Sequence, residues 1–258
     1  MNVFVFDIET VPDVEAGRQI YDLDNLDDKE VAQAMYHLCR QKSGSEFLPH
    51  YLHRVVAISV VFRFNDKVKV WSLGDETSSE AELVQRFYDG IDKYGPVLVS
   101  WNGGGFDLPV LNYRALKHEI SATHYWDTGD FDSTTKWNNY QSRYHARHTD
   151  VMDVLAMYTG RANAPLDHIA TMLGFPGKMG MDGSKVWEAY LDGDIRGIRQ
   201  YCESDVLNTY LVYLRFELIR GRIDKARYQQ ECELLKQLLN HSGEEHLLEF
   251  VRLWDHQS

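Results

Sequence analysis

Cysteine is scarce in this chain. Only Cys39, Cys202 and Cys232 occur among 258 residues, far apart and without a CxxC pair. That excludes a disulfide-stapled scaffold and gives no zinc-finger spacing, and it fits free thiols in a reducing compartment. Long apolar runs are also missing. No stretch of eighteen apolar residues occurs, so no transmembrane helix is expected. The sequence opens directly on a strand pattern, which leaves no room for a basic and then apolar leader; a cytoplasmic protein without membrane contact is expected. Basic residues are outnumbered, 27 Lys and Arg against 39 Asp and Glu, for a net charge of −12. This argues against a broad duplex-binding surface, which needs many cationic phosphate contacts. It leaves open a narrow site where metal ions meet phosphate. Internal repeats, low-complexity tracts and linkers are absent too. With 44% hydrophobic residues, a substantial core is expected.

The chain is organised around Phe6-Asp7-Ile8-Glu9-Thr10, at the end of the apolar run Val3-Phe4-Val5-Phe6. Four apolar residues, β-branched and aromatic, predict a strand buried on both faces. The strand is expected to end in the two carboxylates, which burial would penalise unless something pairs with them. Residues two apart on a strand share a face, so Asp7 and Glu9 read as half of a divalent-cation site.

The rest of the chain alternates strand and helix patterns. His53 to Phe64 predicts a strand, joined through Asn65-Asp66 to Val68–Trp71 as a hairpin. Helical spacing is seen around 31–39, 80–91 and 108–117, and 97–101 predicts a further buried strand. Residues 120–149 are irregular. Their aromatics Tyr125, Trp126, Trp137 and Tyr140 suit either a strand channel or a hydrophobic lid. Thr149 to Tyr158 predicts a strand end running into a helix, and Phe175 to Ser184 a Gly-rich loop. A long helix is predicted over 195–219 and two more in the tail, the first carrying Tyr228, Cys232, Leu235 and Leu239, the second Leu247, Phe250, Val251 and Trp254.

Two further places carry chemistry. At Trp101-Asn102-Gly103-Gly104-Gly105-Phe106-Asp107 a strand enters three glycines, and an acid sits where a helix begins. Taken alone, this is better explained by an acid stabilised at a helix N-terminus. In Tyr201-Cys202-Glu203-Ser204-Asp205 the Tyr and Asp are four apart and share a helix face, a spacing that also arises by chance.

Taken in order, the set Asp7, Glu9, Asp107, Tyr201, Asp205 resembles the DEDD superfamily of 3′–5′ exonucleases, in its tyrosine-bearing subgroup. More narrowly, it resembles predicted bacterial exonucleases related to the proofreading domain of family-B DNA polymerases. The likeness covers about residues 1–215 and includes His148–Asp153 and the 174–186 loop. It implies an α/β ribonuclease H-like fold, a mixed central sheet flanked by helices with a helical C-terminal tail. The expected organisation is an exonuclease domain over 1–220 and a helical extension over 221–258 packed on it. The implied cofactors are two divalent cations, Mg²⁺ or Mn²⁺, on Asp7, Glu9, Asp107 and Asp205. In this scheme Asp7 bridges both ions, Glu9 and Asp205 complete the one that activates water, Asp107 helps hold the other, and Tyr201 orients the water. The implied reaction releases nucleoside 5′-monophosphates from a single-stranded 3′ end. DNA is favoured; RNA 3′-end trimming and a catalytically silent nucleic-acid-binding module are the alternatives. Proofreading would need a protein partner in trans, since no polymerase region accompanies these motifs.

Substrate contacts are assigned to Thr10, Asn102, Phe106 and Lys178. Phe106 suits either base stacking, worth about 1–3 kcal/mol, or packing on its own helix; Lys178 suits either a phosphate or solvent. Asp150 and Asp153 suit support of the site or capping of a helix.

Overall fold

The structure, a computed structural model, describes residues 2–257. Its centre is a five-stranded sheet of β1 (Asn2–Pro12), β2 (His53–Phe64), β3 (Lys67–Ser72), β4 (Val97–Ser100) and β5 (His148–Asp150). The order is β3-β2-β1-β4-β5, with β1 antiparallel to β2 and parallel to β4. Helices fill the intervals: α1 (Val14–Tyr21), α2 (Asp28–Ser43), α3 (Glu80–Tyr94), α4 (Asp107–Lys117), α5 (Thr123–Trp126), α6 (Val151–Leu155), α7 (Leu166–Met172), α8 (Val186–Leu191), α9 (Ile195–Ile219), α10 (Lys225–Asn240) and α11 (Glu245–Gln257). The fold is the expected α/β ribonuclease H-like one, a mixed sheet with helices on both faces.

Strand alternation divides the core. Phe4, Phe6 and Ile8 pack against α3 and α4 with Phe87, Ile91 and Leu111. Val3 and Val5 face α9, among Leu207, Tyr210 and Leu211. The odd-numbered side of β1 is therefore the α9 side, and Asp7 and Glu9 continue it. Helices α10 and α11 add Leu235, Leu239, Phe250 and Trp254 to the same layer.

One expectation is corrected. β1 does not end at the carboxylates; it carries them mid-strand and runs on to Pro12. The reason lies in its neighbours. β2 pairs with β1 along its whole length, from Asn2↔Phe64 to Pro12↔His53, whereas β4 pairs only with Val3, Phe4 and Val5. Beyond Val5 the β4 side of the strand is open, and a bulge between Glu9 and Thr10 bends it there. α1 was also not anticipated. Its helix start is marked by the Asp13 side chain, which accepts from the Ala16 amide at 3.1 Å. Tyr125 and Tyr140 are neither channel nor lid: both are buried, and the Tyr140 hydroxyl donates to the Pro96 carbonyl at 2.7 Å. Trp137 is exposed.

Buried charge networks lock the layers. Arg114 of α4 is 2% exposed and reaches Asp13 beyond β1 and Glu80 of α3, its Nε donating to Glu80 Oε1 at 2.6 Å. Arg63 of β2 pairs with Glu231 of α10 at 2.7 Å, tying the tail to the sheet.

Candidate active site

The candidate residues come from β1, α4 and α9. The open side of β1 decides where α4 enters. The Ile8 amide donates to Asp107 Oδ1 at 3.2 Å, so the acid at the start of α4 lies alongside β1 beyond the last residue paired with β4. Asp107 is 4% exposed. The loop that delivers it is tightly shaped. Asn102 takes a left-handed conformation (φ 65°). A Cβ on Gly103 would come within 2.3 Å of Ser100 Oγ, so only glycine fits that position without rearrangement. The loop is held from β5: Asp150 Oδ1 accepts from the Asn102 amide at 3.0 Å and Oδ2 from the Gly104 amide at 2.9 Å. Asp150 also caps α6 through the Asp153 amide. Both readings of Asp150, support and cap, therefore hold.

From the other side, α9 lays Tyr201, Cys202 and Asp205 against β1. The Cys202 thiol sits 3.4 Å from the Asp7 carbonyl oxygen and 3.6 Å from Asp7 Oδ2. Among the described residues one group of potential ligand atoms joins Asp7, Glu9 and Cys202, all within 4.8 Å of one another. Asp107 and Asp205 face this group electrostatically without entering it. The register of α9 on the sheet is set by polar contacts: Ser72 donates to Glu203 at 2.7 Å, and Glu203 meets His246 of α11 at 2.7 Å.

The charges are mutually unfavourable. Burial, then the charges of Asp107, Glu9 and Asp205, push Asp7 well above the carboxylate range. Burial, then Asp205 and Asp107, do the same to Glu9. Burial raises Asp107 to about 7, aided by Asp150 and opposed by the backbone amides of Asp107 and Ile8. Burial raises Asp205 to about 6, with the Tyr201 hydroxyl pulling it down, Asp167 pushing it up and Lys178 drawing it lower. Burial and then Asp205, Glu9 and Asp7 hold the Tyr201 phenol far above its ordinary range, so it is a neutral hydroxyl at physiological pH. Among the described residues, none of the four carboxylates forms an ion pair with Lys, Arg or His. An acidic cluster left without an ion pair suits hard divalent cations, which favour oxygen donors.

The assigned substrate contacts separate. Thr10 and Phe106 line a cleft of about 650 Å³ beside Glu9, together with Phe47, His53 and Trp187. Thr10 Oγ1 is 2.9 Å from His53 Nδ1, and Phe106 lies edge-on to His53 and Phe47, centroids 5.1 and 5.5 Å apart. Burial lowers His53 to about 4, so its ring is uncharged at neutral pH. Lys178 lies elsewhere, in a groove of about 510 Å³ with Tyr201 and His246, and pairs with Asp182 at 3.6 Å. Asn102 lines neither; its side chain folds over Gly105. Sequence reasoning missed Cys202, although three residues before Asp205 on a helix it had to share that face. It also missed Phe47, His53 and Trp187, which no local pattern links to Glu9.

Comparison with known proteins bears on the family and the fold. The sequence matches the family described as "Predicted 3'-5' exonuclease related to the exonuclease domain of PolB" over residues 45–254. A 39-residue stretch is 51% identical to DNA polymerase 1 of Sulfurisphaera ohwakuensis, covering 15% of this chain and 4% of that protein. The fold is similar to the family B DNA polymerase of the archaeon Pyrobaculum calidifontis, with a TM-score of 0.52 and 16% identity, over 84% of this chain and 24% of that one. The chain thus spans a small share of either polymerase.

Proposed function

The chain belongs to the predicted 3′–5′ exonucleases related to the exonuclease domain of PolB, within the DEDD superfamily, and from that premise we propose that it removes terminal nucleotides from a single-stranded 3′ end as 5′-monophosphates. DNA is the favoured substrate. The observation that carries the reading is the convergence of Asp7, Glu9, Asp107 and Asp205 from three segments, none of them ion-paired to Lys, Arg or His among the described residues. Like charges about 4 Å apart repel by roughly 4 kcal/mol at an effective dielectric near 20, so the arrangement calls for cations.

These four side chains would hold two divalent ions, Mg²⁺ or Mn²⁺. Bound there, the ions would neutralise the scissile phosphate, acidify a water and stabilise the leaving oxygen. The chain's own groups do the rest. Tyr201 belongs to the tyrosine-bearing subgroup's motif. Its protonated hydroxyl, anchored on Asp205, orients the attacking water and does not remove its proton. Phe106 and Thr10, in the cleft beside Glu9, receive the terminal nucleoside. Lys178, on the Tyr201 side, and Asn102 are assigned weaker roles against the strand. Asp150 positions the loop that carries Asp107. The catalytic unit is taken as residues 1–220, with 221–258 as an extension.

The test is hydrolysis of matched 3′-labelled single-stranded DNA and RNA in Mg²⁺ or Mn²⁺ by wild type, Asp7→Ala and Asp205→Ala. Metal-dependent release of mononucleotides, lost in both variants, is expected. Activity in EDTA, or activity surviving both substitutions, would sink the proposal. Faster cleavage of RNA would reassign the substrate.

A further inference from the structure

A second feature lies away from the carboxylates, at the outer edge of the sheet. β3 is the terminal strand, so its outer backbone donors and acceptors face no strand. Along it runs a groove of about 980 Å³ that is lined by Phe62, Phe64, Trp71 and Tyr94 on one side and curls round the edge to Val70 and to Leu238 of α10. The groove also gathers Lys67, Lys69, Arg86 and Lys93 against the single acid Asp89. In a chain of net charge −12 this is a local reversal of sign. Among the described residues, Lys67, Lys69 and Lys93 form no ion pair; Arg86 pairs with Glu82 at 2.8 Å on the exposed side of α3.

The pattern of β3 says what fits. Lys67, Lys69 and Trp71 stand opposite Phe64, Phe62 and Val60 and so share the face that carries Phe4. Val68 and Val70 point the other way, into the layer of α9 and α10. A chain added along this edge would meet cations set among aromatic rings on one face and the aliphatic Val70 and Leu238 on the other, at a repeat of about 7 Å. Alternating acidic and bulky apolar residues match that repeat, and the outer backbone of β3 short of Ser72, whose carbonyl accepts from Arg199 at 3.2 Å, supplies the main-chain bonds. A nucleic acid strand matches less well. Phe62 packs against Tyr94 at 4.9 Å and stacks on Phe64 at 5.7 Å, so much of the ring surface is already used. Val70 and Leu238, which line the other side, are aliphatic, and burying base edges against them unpaired is costly.

We propose that the β3 edge docks an acidic, extended segment of a partner protein, added as a sixth strand with its apolar side chains toward Val70 and Leu238. This site is independent of the nuclease reading. The probe is a fluorescein-labelled seven-residue peptide alternating Asp and Phe, titrated against the full chain in EDTA and followed by anisotropy. Saturable binding is expected. It should weaken at least tenfold in Lys67→Glu/Lys69→Glu, in Val70→Asp, and on raising salt from 50 to 500 mM, and it should persist in Asp7→Asn. Unchanged circular dichroism and thermal unfolding of the edge variants show that they are folded. No saturation by 1 mM peptide overturns the proposal, as does equal affinity for the charge-reversed variant. So does a twelve-nucleotide oligothymidine that loses affinity in Lys67→Glu/Lys69→Glu while the peptide does not; that result makes the edge a nucleic-acid track.

Discussion

Replacing Asp107 by Asn should make the metal-free protein more stable at pH 8 while removing its activity. Asp107 is buried, and its pKa rises from 3.8 to about 7. An acid raised on folding binds its proton more tightly in the native state, so stability is greatest below the unfolded value and declines as pH rises through the folded one. For Asp107 the window runs from about pH 4 to about pH 7, and a move from 3.8 to about 7 corresponds to about 4 kcal/mol. Asn cannot ionise, and its carbonyl oxygen can still accept from the Ile8 amide. Removing the charge also relieves Asp7 and Glu9, both of which Asp107 raises. His53 and His148, held to about 4 by burial, titrate with the opposite sign, but equally in both proteins, and cancel in the difference. Urea unfolding in EDTA should therefore show Asp107→Asn up to about 4 kcal/mol more stable at pH 8, a midpoint shift of more than about 1 M, and nearly equal to wild type at pH 4. Mg²⁺ should narrow the gap, since saturation to 100 times Kd stabilises wild type by about 2.7 kcal/mol. A variant less stable than wild type at pH 8, or one with the same difference at both pH values, would refute the proposed cage.

Three other outcomes follow from the same contacts. Tyr201→Phe keeps the ring but loses the hydroxyl against Asp205; kcat should fall about 10- to 100-fold, the order expected for a misplaced nucleophile, with divalent affinity from calorimetry unchanged. Arg114→Ala removes the buried cation shared by Asp13 and Glu80 and leaves them only Lys117 and His118, so thermal and urea unfolding should register a loss of up to about 3–5 kcal/mol; a loss under 1 kcal/mol would mean that Lys117 and His118 take over the network. Cys202 places a soft ligand beside Asp7 and Glu9. Cd²⁺ should therefore inhibit wild type and give a thiolate-to-cadmium absorption band. Cys202→Ser should hydrolyse normally in Mg²⁺ yet resist Cd²⁺, whereas equal Cd²⁺ sensitivity would place the inhibition elsewhere.

Much of the fold could be read locally. The apolar run Val3–Phe6, the hairpin at Asn65-Asp66 and the apolar stripes of the tail helices are one-segment properties, and each reappears as β1, the β2–β3 hairpin, and α10 and α11. What could not be read depends on residues far apart in sequence. The clamp of Asp150 on the Asn102 and Gly104 amides spans 46–48 positions, and the Cys202–Asp7 contact spans 195. Tyr125 and Tyr140 looked like channel or lid residues because their segment is irregular. They are core because the irregular chain folds back over α3, where Tyr125 meets Tyr88 at 5.3 Å.

The error at β1 is the instructive one. Reading Asp7 and Glu9 as a strand end assumed that charge and strand exclude each other. A strand in a mixed sheet has two neighbours that can stop at different points. Here β2 continues to Pro12 while β4 pairs no further than Val5. Asp7 and Glu9 are thus held by an antiparallel ladder that continues past them through the bulge at Glu9/Thr10, and are still open on one side. A strand that truly ended there would leave both carboxylates on a flexible loop, free to swing apart and relieve their repulsion. The long ladder denies them that escape, and Asp107 on the Ile8 amide and Cys202 beneath Asp7 close the remaining directions. On the proposed reading the cage would therefore be preorganised by backbone pairing before any ion arrives, and the unfavourable charge held in it would couple ion binding to stability.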